Sequence, residues 1–185
     1  MSAELLPAHA ARQPVATVGK DTPEAGASGA AQLYLAFRLA GEVYAIDILR
    51  IREIVEYTLP TSVPMMPASV RGVINLRGAV VPVIDLAIRF GQAATGVGKR
   101  TCIVIVEVAH AGATHILGLL VDGVNAVVDI SADSIEPPPA FGAGIDAEFI
   151  AGMARVDGRF VIILDVGRAL SIQELAAVHS VAKAG

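Results

Sequence analysis

Two carboxylates stand at matching places in this 185-residue chain. Asp85 follows Val80-Val81-Pro82-Val83-Ile84, and Asp165 follows Phe160-Val161-Ile162-Ile163-Leu164, so each closes an apolar, strand-sized run. Two close carboxylates that share a proton are the chemistry of an aspartic-protease dyad. That chemistry sets its acids in Asp-Thr-Gly or Asp-Ser-Gly loops that approach and hydrogen-bond each other. Here the tripeptides are Asp85-Leu86-Ala87 and Asp165-Val166-Gly167, without the hydroxyl. Each Asp is better expected to cap a helical turn behind its strand, which leaves a double-barrel hydrolase using Asp85 and Asp165 as the weak alternative. Gly96-Val97-Gly98-Lys99 imitates the end of a phosphate-binding loop, but Ala93 stands where the first glycine is needed and Arg100 where Ser or Thr is needed. His9 and His179 lie near the ends, and His110 and His115 flank one turn, with no Cys or carboxylate at ligand spacing among them. Cys102 opens an apolar run and is expected to be an inert core thiol. No catalytic residue, metal or cofactor is expected.

The charges of interest are instead Glu53 and Arg77. Each stands beside apolar residues, Ile51 and Ile54 in one case and Leu76 in the other, and a charge among exposed apolar side chains is the make-up of a protein contact. Arg77 lies in Asn75-Leu76-Arg77-Gly78, a turn signal between two β-rich runs. Gly78 can take the positive φ that closes such a hairpin. Arg77 is thereby held at a turn, where its guanidinium is available to a partner.

This hairpin recurs. A shift of eighty positions lays Gly72 on Gly152, Gly78 on Gly158, Val81 on Val161 and Asp85 on Asp165. A shift of seventy-three lays Ile46, Ile48, Ile51, Ile54 and Val55 on Leu119, Val121, Val124, Val127 and Val128. The chain is therefore expected to hold two copies of one unit. Asp157 takes Arg77's place in the second copy, so the copies share a scaffold and present different surfaces.

Composition bounds the rest. Residues are 54% hydrophobic and only 17% charged, with the excess in Val, Ile, Leu and Ala, enough for sheet-rich packing. A net charge of −4 without a basic cluster argues against nucleic acid as partner. No apolar run is long enough to span a bilayer, and the N-terminus lacks the basic-then-apolar pattern of a secretory signal. A single cysteine cannot form an internal disulfide, which fits a reducing cytoplasm.

In order, residues 1–31 carry Ala, Pro, Gly, Ser and Thr without period and are expected to be a disordered tail. Leu33, Leu35, Phe37 and Leu39 mark one face of a first strand. Asp47 suits the cap of a short helical turn. Pro60, Pro64 and Pro67 mark a surface loop, in which Met65 and Met66 could pack or soften a contact. Strands are expected at 101–108, 114–121, 124–130, 150–156 and 159–164, and a closing helix at 171–178. Many short strands with few helices indicate an all-β barrel or sandwich architecture.

Tyr44-Ala45-Ile46-Asp47-Ile48-Leu49, Arg52-Glu53-Ile54, Arg71-Gly72-Val73-Ile74-Asn75-Leu76-Arg77-Gly78, Val81-Pro82-Val83-Ile84-Asp85-Leu86 and Val121-Asp122-Gly123-Val124 together resemble the CheW family of chemotaxis adaptors. The resemblance runs from about Leu33 to Leu170. It implies a CheW-like domain over 32–178, built of two small five-stranded β-barrels, the first at about 32–91 and the second at about 100–170, with a few short helices. It further implies a non-enzymatic scaffold that binds the cytoplasmic tip of methyl-accepting chemotaxis receptors and the regulatory domain of the histidine kinase CheA. A CheW-like scaffold in a non-chemotactic receptor–kinase pathway is the alternative. The chain would be cytoplasmic, meeting membrane-bound receptor arrays only through partners and without direct membrane insertion. The family's critical Glu and Arg fall on Glu53 and Arg77, its hairpin glycines on Gly72 and Gly78, and groove-lining apolar positions on Ile51, Val124 and Val127. The internal repeat adds Ile54 as the counterpart of Val127.

Overall fold

A computed structural model describes residues 29–138, 146–170, 174, 176 and 180. Among the described residues there are ten strands: β1 (Ala31–Leu39), β2 (Glu42–Asp47), β3 (Ile51–Glu56), β4 (Val70–Leu76), β5 (Ala79–Asp85), β6 (Cys102–His110), β7 (Ala113–Val121), β8 (Gly123–Ser131), β9 (Ile150–Val156) and β10 (Arg159–Leu164). Two one-turn helices follow the fifth and tenth strands, α1 (Leu86–Arg89) and α2 (Val166–Ala169). The expected tail over residues 1–28 lies outside the described residues. Gly29 is already held, its N–H donating to Asp133 Oδ2 at 2.8 Å, and β1 starts one residue before the expected boundary. Of the expected closing helix at 171–178, only Glu174 and Ala176 are described, both helical.

The strands form two curled five-stranded sheets, ordered β8-β1-β2-β10-β9 and β3-β6-β7-β5-β4. This corrects the expected division at 32–91 and 100–170. The first two strands of each copy join the last three of the other, so the copies are interwoven. The two sheets follow one plan. In both, an antiparallel ladder carries a bulge, at Arg52 in β3 and at Asn125 in β8. A second bulge falls at Arg71 and at Ala151. Each sheet holds one parallel pair, β5 with β7 and β10 with β2, and Val83↔Gly118 corresponds to Ile163↔Ala45. Sequence periodicity detects the duplication but carries no sign of which copy's strands will pair, because a strand exchanged between equivalent units makes the same ladder.

Turn chemistry fixes the hairpins. Arg77 and Gly78, and likewise Asp157 and Gly158, all have positive φ, the two-residue turn whose twist suits a hairpin. Asn75 Oδ1 accepts from Gly78 N–H at 2.9 Å and fastens the first of these. Alternation then sorts the side chains between layers. Ile103, Ile105 and Leu120 fill the inside of one curled sheet with Ile74, Val81 and Val83. Tyr34, Ala45, Ile130, Ala154, Val161 and Ile163 fill the inside of the other. The residues between them, such as Leu35, Phe37 and Tyr44 from one sheet and Val104, Val106 and Leu119 from the other, form a larger core between the sheets. Removing each such side chain from water contributes about 1.5–3 kcal/mol, so the inter-sheet layer holds the two sheets as one body.

Candidate functional site

Glu53 and Arg77 sit at opposite edges of one sheet, Glu53 on β3 and Arg77 in the β4–β5 turn. The curl brings these edges together. Arg77 donates from both terminal nitrogens to the two Glu53 carboxylate oxygens, each at 2.9 Å. Such a bidentate pair fixes the plane of both groups as well as their distance. The guanidinium remains in water, with 78% of the Arg77 side chain exposed against 24% for Glu53. Arg77 is thus presented at the surface and already oriented by Glu53. The sheet edge is further closed where Thr61 and Val73 exchange backbone hydrogen bonds, both at 2.8 Å.

That closure explains Gly72. It is buried with φ of +139°, and an added Cβ would lie 2.2 Å from the Thr61 carbonyl oxygen. Gly72 therefore lies beneath the surface and admits the crossing segment, whereas Gly78 is exposed in the turn itself.

The apolar candidates divide in two. Ile51 and Val124 are half-buried against the core between the sheets, one from each sheet. Ile54 and Val127 stand exposed three residues further along the same two edge strands. Ile54 pairs with Val104 and Val127 with Leu35, and both partners belong to the inter-sheet core. Side chains opposite each other in a ladder share a face, so both exposed residues lie on faces continuous with that core. Cys102 lies next to this margin. Burial pushes its thiol pKa up, against a smaller lowering from a hydrogen bond with the Val124 backbone, and a thiol held protonated at neutral pH is a poor nucleophile.

The two strand-end carboxylates do not form a dyad. Asp85 is fully buried and accepts from Ala87 N–H at 3.0 Å, Thr95 N–H at 2.9 Å, Thr95 Oγ1 at 2.8 Å and Arg71 at 3.1 Å. Asp165 caps α2 by accepting from Arg168 N–H at 3.2 Å. They lie on different sheets, and both act as the caps expected of them.

The sequence pattern marks both members of the Glu53–Arg77 pair without joining them. A signal was present: the counterparts in the second copy, Ala126 and Asp157, lose the Glu and the Arg together. Nothing in the spacing marks the Arg71–Asp85–Thr95 cluster. Nor does it mark the buried Glu174, which pairs with Arg89 at 3.0 Å and accepts a hydrogen bond from the Ser69 hydroxyl. Arg89 in turn lies 4.5 Å over the Phe149 ring.

Residues 33–174 match the model of the CheW-like domain. The chain belongs to the CheW-like family. It is similar to the chemotaxis protein CheW of Klebsiella aerogenes, 35% identical over 82% of this chain and 89% of that protein. The chemotaxis protein CheW of Helicobacter pylori is 35% identical over 72% of this chain and 78% of its own. The crystal structure of scaffolding protein TtCheW from Thermoanaerobacter tengcongensis superposes with a TM-score of 0.69 at 37% identity, covering 78% of this chain and 96% of that one. The CheW-like match thus spans both curled sheets and every candidate residue above. Among the described residues, no helix is long and apolar enough to cross a membrane, and no three His, Cys, Asp or Glu side chains are grouped to hold a metal ion.

Proposed function

We propose that this chain is a non-enzymatic adaptor that couples the cytoplasmic tip of methyl-accepting chemotaxis receptors to the regulatory domain of the histidine kinase CheA, in the cytoplasm at a receptor array. The observation that carries the reading is the oriented Glu53–Arg77 pair on a sheet edge that also exposes Ile54. Charges of fixed geometry set register and exclude wrong partners, while apolar contact supplies affinity. Ile51, Ile54, Val124 and Val127 give an apolar margin of the kind that an amphipathic helical hairpin covers. Arg77 and Gly78 form the turn beside it, and Gly72, further back on β4, admits the Pro60–Thr61 segment that closes the sheet edge. The named chemotaxis relatives support the same assignment.

Burying several such side chains, less the cost of association, gives binding on the order of −8 kcal/mol, or micromolar. Titrating the receptor tip and the kinase regulatory domain separately against Val124→Asp tests the reading. The receptor affinity should fall strongly, since an unpaired carboxylate would be buried at the contact, while kinase affinity survives. Equal loss of both in a folded variant would show that this margin is not the receptor's own contact, and the reading would fall.

A further inference from the structure

The second copy carries a cleft that the first copy has filled. In the first copy, the bulge residue Arg71 reaches Asp85, and Thr95 from the segment after α1 closes over the same carboxylate. In the second copy the equivalent bulge residue is Ala151, and Gly167 stands where the first copy has Ala87. The space so vacated is a cleft of about 410 Å³ lined by Ala151, Asp165 and Gly167, with Asp47, Glu107 and Arg50 at its sides. That volume lies within the ~300–1,000 Å³ of ordinary ligand sites.

Its charge is complementary to a cation. Three carboxylates face one guanidinium. Asp47 already accepts from Gln32 and from Leu49 N–H, and Glu107 is ion-paired with Arg52 at 3.1 Å. Among the described residues, Asp165 is less engaged. Beyond the capping bond to Arg168 N–H, the Arg168 side chain stands 3.7 Å from Oδ2, past hydrogen-bond distance, and is 72% exposed. Asp165 therefore keeps acceptor capacity toward the cleft that Asp85 spends on Arg71 and Thr95.

We propose that this cleft is a docking site for the guanidinium of an arginine side chain on a partner polypeptide, which would occupy before Asp165 the place that Arg71 occupies before Asp85. The chain itself supplies the precedent, because the same scaffold position binds a guanidinium in the sister copy. An arginine suits the site better than a lysine, since its planar fork can meet a carboxylate with two hydrogen bonds. None of Ile51, Glu53, Ile54 or Arg77 lines this cleft, so the site stands whether or not the coupling assignment does.

The test is a titration of the isotope-labelled full chain with Nα-acetyl-arginine methylamide, its lysine and citrulline analogues, and free arginine. Saturable amide shifts confined to Ala151 and Asp165–Gly167 are expected for the capped arginine. The lysine analogue should bind more weakly, and the uncharged citrulline analogue should give no saturation. Free arginine should bind no more tightly than the capped form, because its α-ammonium and α-carboxylate add no net charge to the guanidinium. Asp165→Asn should weaken the capped arginine on the order of tenfold, the worth of one charge-assisted hydrogen bond. Ala151→Arg should fill the cleft from within and abolish the shifts. Should that variant not fold, the Asp165→Asn result decides. Shifts that are equal for citrulline, or unchanged by Asp165→Asn, would overturn the site, and tighter binding of free arginine would overturn the polypeptide source.

Discussion

The two interwoven copies repeat each other's bulges, turns and strand pairings, yet they treat their charges differently. In the first copy Asp85 is sealed by Arg71 and Thr95, and Glu53 clasps Arg77 across the sheet edge. In the second, Ala151 and Ala126 stand at the positions of Arg71 and Glu53, and Asp157 replaces Arg77. Backbone geometry here is set by apolar alternation, glycines and turn residues, which both copies keep. Surface chemistry is set by a few polar positions, which only one copy keeps. A scaffold fixed by the first class of residue is free to vary the second.

The sharpest way to break the equivalence is at the crossing glycines. Gly72→Ala should cost about 3–4 kcal/mol, because the new Cβ meets rigid backbone at 2.2 Å and φ of +139° is strained for any L side chain. Gly152→Ala should cost less, about 2–3 kcal/mol, because its Cβ meets the Ile135 Cγ2 atom at 2.3 Å and the Glu136 backbone oxygen at 3.0 Å but carries no positive-φ strain. Equal destabilisation of the two variants in thermal melts would mean that the segments cross with equal rigidity. Next in size are the caps. Asp85→Asn should cost about 2–3 kcal/mol, because it leaves Arg71 facing a neutral amide in a buried setting. Asp165→Asn should cost no more than about 1 kcal/mol, since Asn caps nearly as well as Asp. Denaturant titration of the pair reads the difference directly.

A smaller effect separates the insides of the two sheets. Burial and the nearby Asp47 charge push the Tyr34 hydroxyl pKa up, while the residue facing Leu120 at the matching place in the other sheet is Ile103, which does not titrate. A phenol whose pKa is raised on folding must take up its charge at a higher pH than in the unfolded chain. Its contribution is therefore whole below the unfolded value and is lost as pH rises past it. Stability should accordingly decline above about pH 10, and Tyr34→Phe should make that decline shallower. Hydrogen exchange at alkaline pH should show β1 loosening before β6, and the reverse order would contradict the assignment.

Most of the scaffold was legible because its signals are local. The Asn75–Gly78 turn, the apolar face of β1, the apolar run of β6 and the capping of Asp47, Asp85 and Asp165 all follow from residues within a few positions of each other. What escaped was long-range: the exchange of strands between copies, the closure of a curled sheet by Thr61, and the union of Glu53 with Arg77 across twenty-four positions. Sequence spacing along a strand says which face a side chain takes. It does not say how far the sheet will curl.

The Glu53–Arg77 pair can be told apart from its two charges. Glu53→Lys and Arg77→Glu should each change stability by no more than about 1 kcal/mol, because exposed ion pairs contribute little. Each should nevertheless abolish receptor–kinase coupling, since a partner that reads the surface meets a reversed charge there. The double reversal, Glu53→Arg with Arg77→Glu, separates the two roles. It can rebuild a bidentate pair between the same two edges, so melting should return to the parent value. Coupling should stay lost, because the exposed group at the turn is now a carboxylate where the partner expects a guanidinium. Recovery of coupling in the double variant would show instead that the pair serves only to close the sheet edge. In that case the contact would be left to Ile54 and its apolar neighbours, and neither charge would be read by the partner.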